Sequence, residues 1–429
     1  MNPKIGQLKA LFCSLLILTI GNVRAQSISG NGGSIPDNGN VVVLPIEDGG
    51  VNPLSMETVL RDTFARANAG CINMSEIKVD AQQGNTFQFT QSNLPLVLIN
   101  TYGQEILDDP KIAAGFKLID NGYGGPNHIN DNPAYTGFIG IEIRGSSSQM
   151  FPKKNYGFET WDAFSNEIDT SLLGMPAEND WILNASYTDK TLLRNTLGYQ
   201  IWMNMGYYAT RYRYVEVFIN NTYKGVYVFS EKIKRDKDRV DIAKMTNTMN
   251  TGDKLTGGYI FKIDRGEGWT SSFPSPNNPS LSIYFQYEYP KYDDITDQQK
   301  QYLQAYVNWF EMALDAPNFA DPVVGWRKYA VEETFVDYFI QNEFCKNVDG
   351  YRLSTFIQKE RDSEGGKLRM GPVWDFDLAW HNADYCEGDL YTGWAYQFPC
   401  VEDYFQLPFW WERLLQDTLF ANNVQCKWW

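Results

Sequence analysis

Two aspartates, Asp375 and Asp377, stand at alternate positions in Met370-Gly371-Pro372-Val373-Trp374-Asp375-Phe376-Asp377-Leu378. Written as an extended chain, this segment puts both carboxylates on one face with Cα atoms ~6.5–7 Å apart. The same alternation turns Trp374, Phe376 and Leu378 toward a core. Paired carboxylates beside an aromatic anchor suit a hard, oxygen-preferring cation such as Mg²⁺ or Ca²⁺. A solvated strand end, with Asp outward and aromatics inward, gives the same pattern, and spacing alone does not choose between them.

A second polar segment, Asn342-Glu343-Phe344-Cys345-Lys346-Asn347-Val348-Asp349-Gly350-Tyr351-Arg352-Leu353-Ser354, follows an amphipathic stretch and contains a Gly turn. That placement can aim side chains into a cleft. Glu343 as a helix-end ion-pair partner and Asn347 as a C-cap are the structural alternatives. A third, Arg144-Gly145-Ser146-Ser147-Ser148 with Pro152-Lys153-Lys154-Asn155-Tyr156, joins small residues to paired cations. Backbone amides in such a loop, with a nearby lysine, can cradle phosphate; a flexible loop with solvated lysines is the plainer reading. Arg194 and Asn195 can reach the same anion or pair with surface carboxylates.

The elements that must position these groups are legible as patterns. Leu94 to Ile99, Phe138 to Arg144 and Lys154 to Glu159 read as strands. Asp189 can cap a helix running through Leu192, Leu193, Leu197, Ile201 and Met205. Strands at Tyr214–Ile219 and Gly225–Phe229 are joined by a turn at Asn220 to Lys224, and Gly257 to Ile263 is a further strand. Gln298 to Leu314 and Val331 to Phe344 read as amphipathic helices, and Phe409 to Phe420 as a third. The order predicts an α+β protein of two lobes, a mixed sheet in the N-terminal part and a mostly helical C-terminal part.

Composition narrows the chemistry. Only two histidines occur in 429 residues, so histidine-rich zinc sites and most histidine-dependent acyl transfer are excluded in practice. The formal net charge is −15, which disfavours nucleic acid and anionic lipid as partners. The chain carries 25 Phe, 26 Tyr and 13 Trp, enough for either core packing or a stacking surface.

Residues 1–25 read as a secretory signal peptide: Lys4 and Lys9, an apolar stretch from Ala10 to Ile20, and small residues before Gln26. Loss of the leader removes Lys4, Lys9 and Arg24 and no acid, taking the net charge from −15 to −18. The product is expected to be exported, whether extracellular, cell-surface or periplasmic, with no transmembrane segment after cleavage. Residues 26–90 read as a linker and N-terminal extension. Of the cysteines beyond the leader, Cys386 and Cys400 are spaced for a loop disulfide, while Cys71, Cys345 and Cys426 complete an odd set. The closing Lys427-Trp428-Trp429 suggests a chain truncated at its C-terminus.

Taken together, the segments resemble the spore-coat protein H (CotH) kinase family, secreted atypical relatives of protein kinases. The resemblance rests on Ile143-Arg144-Gly145-Ser146-Ser147 with Pro152-Lys153-Lys154, on Asn179-Asp180-Trp181 and on Asp189-Lys190-x-Leu192-Leu193-Arg194-Asn195. It continues through Val215-Glu216-Val217-Phe218, Glu231-Lys232-Ile233, Gly257-Gly258-Tyr259, Glu343 to Tyr351 and Pro372 to Asp377. It implies a kinase-like domain over residues 91–429. It also implies ATP and Mg²⁺ as cofactors (Ca²⁺ as the alternative ion) and γ-phosphoryl transfer to hydroxyl side chains of a secreted or surface protein. By the same resemblance Lys154, or Lys153, holds nucleotide phosphates together with Arg144 and Ser146. Asp349 is the catalytic-loop aspartate, Asp375 and Asp377 hold the metal, and Glu231 lies near the adenine side. Ser354 departs from the pattern: a kinase-like loop places Asn five residues after the catalytic Asp, and serine is a poorer metal ligand. The competing function is a non-catalytic surface assembly or glycan- and protein-binding module on the same scaffold, and a Ca²⁺-stabilised structural domain is a third.

Overall fold

The computed structural model describes residues 78–79, 89–122, 125–266 and 268–428. The leader, most of the expected linker and Cys71 lie outside the described residues.

The chain is α+β. Its first part is a closed sheet of seven strands: β2 (Leu96–Asn100), β3 (Ile112–Ile119), β4 (Tyr135–Arg144), β5 (Asn155–Trp161), β6 (Asp180–Asn184), β7 (Tyr212–Ile219) and β8 (Thr222–Glu231). Antiparallel pairings run β2-β3-β4-β5-β6-β8-β7, and a parallel β7–β2 pair closes the ring. A short β1 (Lys78–Val79) adds to β8.

The period-2 alternation of strands explains the closure. Val97, Ile99, Ile139, Ile141, Phe158, Trp181, Val215, Val217 and Phe229 fill the interior. Leu96, Leu98 and Phe218 point outward into a separate cluster with Phe89. Gly140 is required where the barrel wall meets Trp161, because a Cβ there would lie 2.0 Å from the indole. The β7–β8 hairpin is tighter than expected: Asn220 and Asn221, both at positive φ, form a two-residue turn, and Thr222 already belongs to β8.

The C-terminal part corrects the expectation of a mostly helical region. It contains a five-stranded antiparallel sheet ordered β10-β11-β9-β12-β13. Its strands are β9 (Tyr259–Ile263), β10 (Gly268–Pro274), β11 (Ser282–Tyr289), β12 (Thr355–Lys359) and β13 (Leu368–Met370). Against it pack α2 (Asp297–Asp315), α3 (Glu332–Phe344), α4 (Trp410–Leu415) and α5 (Thr418–Trp428). Leu303, Val307, Phe310 and Leu314 of α2 are buried as their spacing predicts, and a capping box between Thr296 and Gln299 starts the helix.

Two helices differ from their sequence patterns. The helix α1 (Arg194–Asn204) buries Asn195, Thr196, Gly198, Tyr199 and Trp202, and leaves Leu193 and Leu197 exposed. Asp189 does accept from the Arg194 amide at 2.8 Å, five residues before it. The stretch Phe409–Phe420 is two helices, because Asp417 accepts from the Leu419 amide and pairs with Arg327, breaking the chain between α4 and α5. Leu419 is consequently exposed. Most of the aromatic surplus is core: Trp181, Trp202, Trp326, Trp410 and Trp411 are fully buried. The Cys386–Cys400 disulfide is formed, while Cys345 is a buried thiol and Cys426 an exposed one. No helix of the described residues is long and apolar enough to cross a membrane.

Candidate active site

The Asp375–Asp377 segment is not a strand. Asp375 sits in the left-handed region at φ 70°, a conformation that Asp tolerates better than most residues. The turn is anchored by the residue between the two aspartates. The Phe376 amide donates to Asn195 Oδ1 at 2.6 Å, and the Phe376 ring lies where a Cβ on Gly198 would be 2.5 Å away. Residues that made α1 look weakly amphipathic are therefore those that seat the carboxylates. Asp377 accepts from Thr188 Oγ1 at 2.5 Å, and its carbonyl accepts from Asn382.

Asp375 is open to solvent and accepts from Ser354 Oγ at 3.3 Å. Desolvation among the surrounding protein, and then the negative charge of Asp377, Asp349 and Asp264, raises its carboxyl well above the usual carboxylate range. Its accessibility means that these groups face a water-filled recess, not dry core. Ser354, noted as a departure from the kinase pattern, is thus in contact with the acidic pair.

Asp349 is held from both sides. Oδ1 accepts from Arg352 Nη2 at 2.5 Å, and Oδ2 accepts from the Tyr385 hydroxyl at 2.6 Å. Arg352 is buried and also donates to the Val348 and Phe405 carbonyls. Tyr385 precedes Cys386, so the phenol on Asp349 belongs to the disulfide-closed loop. Glu343 anchors that loop by accepting from the Ala395 and Tyr396 amides, and Lys346 donates to the Thr392 and Gly393 carbonyls. The structural reading of Glu343 is therefore the one observed.

Arg144 ends β4 on the outer face of the barrel, opposite in parity to inward Ile139 and Ile141. Its guanidinium lies 5.6 Å from the centre of the Trp374 ring and makes no hydrogen bond or ion pair among the described residues. Burial lowers its pKa, opposed by the negative charge of Glu288 and Asp375. An arginine so placed, beside carboxylates yet uncommitted, is free to take an anion.

The other predicted residues are committed elsewhere. Lys153 lies over the Tyr227 ring and donates to the Ala185 and Val226 carbonyls; burial lowers its pKa to about 8, with Glu216 opposing. Lys154 donates to the Gln149 carbonyl within its own loop. Ser146 is exposed, with no side-chain cap bond. Glu231 is fully buried and accepts from Arg211 and Tyr208, with Arg239 at 3.7 Å. The structure brings Asp349, Asp375, Asp377, Ser354 and Arg144 around one recess, and no contact joins Lys153, Lys154, Ser146 or Glu231 to those carboxylates.

Sequence reasoning missed several neighbours. Lys262, on β9, pairs with Asp264 at 2.9 Å and approaches Glu288 of β11 at 3.8 Å, beside Arg144 and Asp375. A Lys-x-Asp ending an otherwise apolar strand was the available signal. Tyr199 stacks on Trp374 at 5.6 Å, and its phenol is pushed up by burial and by Asp375 and Asp377. Glu288 also lines a cavity of about 460 Å³ walled by Ile233, Met245, Tyr289 and Pro290 with Lys232 and Lys234 at its rim.

Two carboxylates with the hydroxyls of Ser354 and Thr188 form an all-oxygen set that fits a hard divalent cation, and the repulsion raising the Asp375 pKa is what such an ion relieves. Among the described residues no three His, Cys, Asp or Glu side chains converge as a complete cage, so remaining ligands must come from substrate and water.

A family model described as "CotH kinase protein" matches residues 141–428, a span that begins in β4 and contains every residue of the recess. No curated protein matches the chain.

Proposed function

The chain belongs to the CotH kinase family, and from that premise we propose that it transfers the γ-phosphoryl group of ATP, with Mg²⁺, to hydroxyl side chains of a secreted or surface protein. The observation that carries this reading is the convergence of Asp349, Asp375 and Asp377 with the uncommitted Arg144 around one recess.

In this reading the base of ATP enters the cavity between Ile233, Met245 and Tyr289, and the phosphates extend past Arg144 toward the acidic pair. Arg144 offsets charge on the phosphate oxygens as it spreads in the transition state. Asp375 and Asp377 hold Mg²⁺, which supplies further charge neutralisation on the bridged phosphates. Asp349 orients the acceptor hydroxyl and takes its proton, so the Tyr385 phenol must yield Oδ2 to the incoming group. Lys154 braces the loop after Arg144 through the Gln149 carbonyl, and Lys153 secures the end of the barrel. The kinase-like two-lobed organisation over residues 91–429, the leader at 1–25 and export belong to the same proposal.

A non-catalytic module is the second reading, and one observation favours it: both oxygens of Asp349 are already occupied. Labelled ATP and Mg²⁺ with the wild type, Asp349→Ala and Asp375→Asn separate the two. The kinase reading expects incorporation into an added protein acceptor by the wild type and its loss in both variants. A folded wild type that binds nucleotide without transfer supports the module.

A further inference from the structure

A second concave site lies on the far side of the C-terminal sheet, between the edge strand β10 and α2. It is a groove of about 540 Å³, within the range of small-ligand sites. Gln301, Gln304 and Asn308 form one stripe of α2 along it, facing Thr270, Ser271 and Ser272 of β10, with Trp269, Ala305 and Val307 as its apolar part.

Glu311 is the one ionisable residue of this lining and is almost entirely buried. Ser271 Oγ and Trp410 Nε1 both donate to its Oε1, at 2.8 and 3.0 Å. Its Oε2 accepts no hydrogen bond among the described residues. No cation faces the carboxyl, and burial pushes its pKa up to about 7. Glutamine would hold the same two donors without the desolvation cost of a carboxylate. A buried acid kept without a counter-ion, with one oxygen toward a groove, is a group retained for a ligand.

The lining selects the ligand's chemistry. An anion would meet Glu311 and no Lys or Arg. An ammonium can only donate, and would leave the amide N–H groups of the three-residue stripe unused. Amides and hydroxyls that both donate and accept, set beside an aromatic ring, match a neutral ligand dense in hydroxyls with an apolar C–H face. Gln304 is already oriented, donating to the Tyr287 hydroxyl at 2.6 Å. We propose that the β10–α2 groove is a binding subsite for a neutral saccharide, with Glu311 Oε2 as its charged acceptor. A single carboxyl cannot supply the acid and nucleophile or base of glycoside cleavage, so the site binds and does not hydrolyse. It is separate from the Asp375 recess, and its fate does not depend on the kinase reading.

The test titrates the full chain with cellotetraose, maltotetraose, mannotetraose and chitotetraose, following tryptophan fluorescence and heat. Saturable binding of at least one is expected. Gln301→Ala combined with Asn308→Ala, both on the outer surface of α2, should weaken it by about 10-fold or more without lowering Tm. Glu311→Gln should weaken it comparably while keeping the Trp410 and Ser271 donors engaged. Absence of saturable binding to all four by folded protein overturns the proposal, as does binding left unchanged by both variants.

Discussion

Glu231 and Asp375 are both acids that the sequence marked for function, and the structure treats them in opposite ways. Glu231 is fully buried at the end of β8, with Arg211, Arg239 and Tyr208 around its oxygens. Asp375 has one hydroxyl partner, three carboxylates nearby and solvent in front of it. A charge whose partners are all supplied by the fold stabilises that fold; a charge crowded by its own sign stores a cost that a ligand can relieve. The same contrast separates Lys153 and Lys154, tied to backbone carbonyls, from Arg144, tied to nothing.

Substitutions can break this contrast, and the largest effect belongs to Glu231. Glu231→Ala leaves buried arginines without their counter-charge and should cost about 3–5 kcal/mol of stability, read by denaturant unfolding. Asp375→Asn should instead lower phosphoryl transfer by about 10²–10³-fold without lowering Tm. Its pH dependence has a definite sign. An acid whose pKa is raised on folding contributes stability that is present at low pH and lost as pH climbs above the unfolded value of about 4. The Tm of Asp375→Asn should therefore gain on the wild type as pH rises, and Mg²⁺ should raise the wild-type Tm more at pH 8 than at pH 5.

Arg144→Ala should raise the KM for ATP about 10-fold, through loss of one charge-assisted contact, while leaving Tm nearly unchanged because no protein partner is lost. The smallest effect is at Tyr385. Tyr385→Phe frees one Asp349 oxygen and should speed transfer about 3-fold, the size of a single net hydrogen bond. A fall in rate would instead make the phenol part of the machinery.

What the sequence revealed follows from the range of the forces involved. Strands with clean alternation, such as Phe138 to Arg144, and helices with apolar stripes, such as Gln298 to Leu314, were legible because local pattern sets them. The sheet β9–β13 was obscured because β12 and β13 are short and the tyrosine-rich β10 and β11 lie at one edge, where polar positions alternate with aromatic ones. The acidic pair was found for a partly wrong reason. Asp375 and Asp377 are neighbours through a turn pinned by Asn195 and Gly198, not through an extended strand. Glu231 and Lys154 were marked by motif, but whether a charge is committed depends on residues such as Arg211 and Gln149 that only the fold brings near. Lys262 and Tyr385 were missed for the same reason, each reaching the recess from an element remote in sequence.

Calorimetric titration of ATP with Mg²⁺ into the wild type, Asp375→Asn, Arg144→Ala and Lys154→Ala tests the contrast most directly. Binding that is lost or strongly weakened in the first two variants and retained in Lys154→Ala is the predicted result. Full binding by Asp375→Asn and Arg144→Ala, with loss confined to Lys154→Ala, would contradict it and move the phosphate site to the loop.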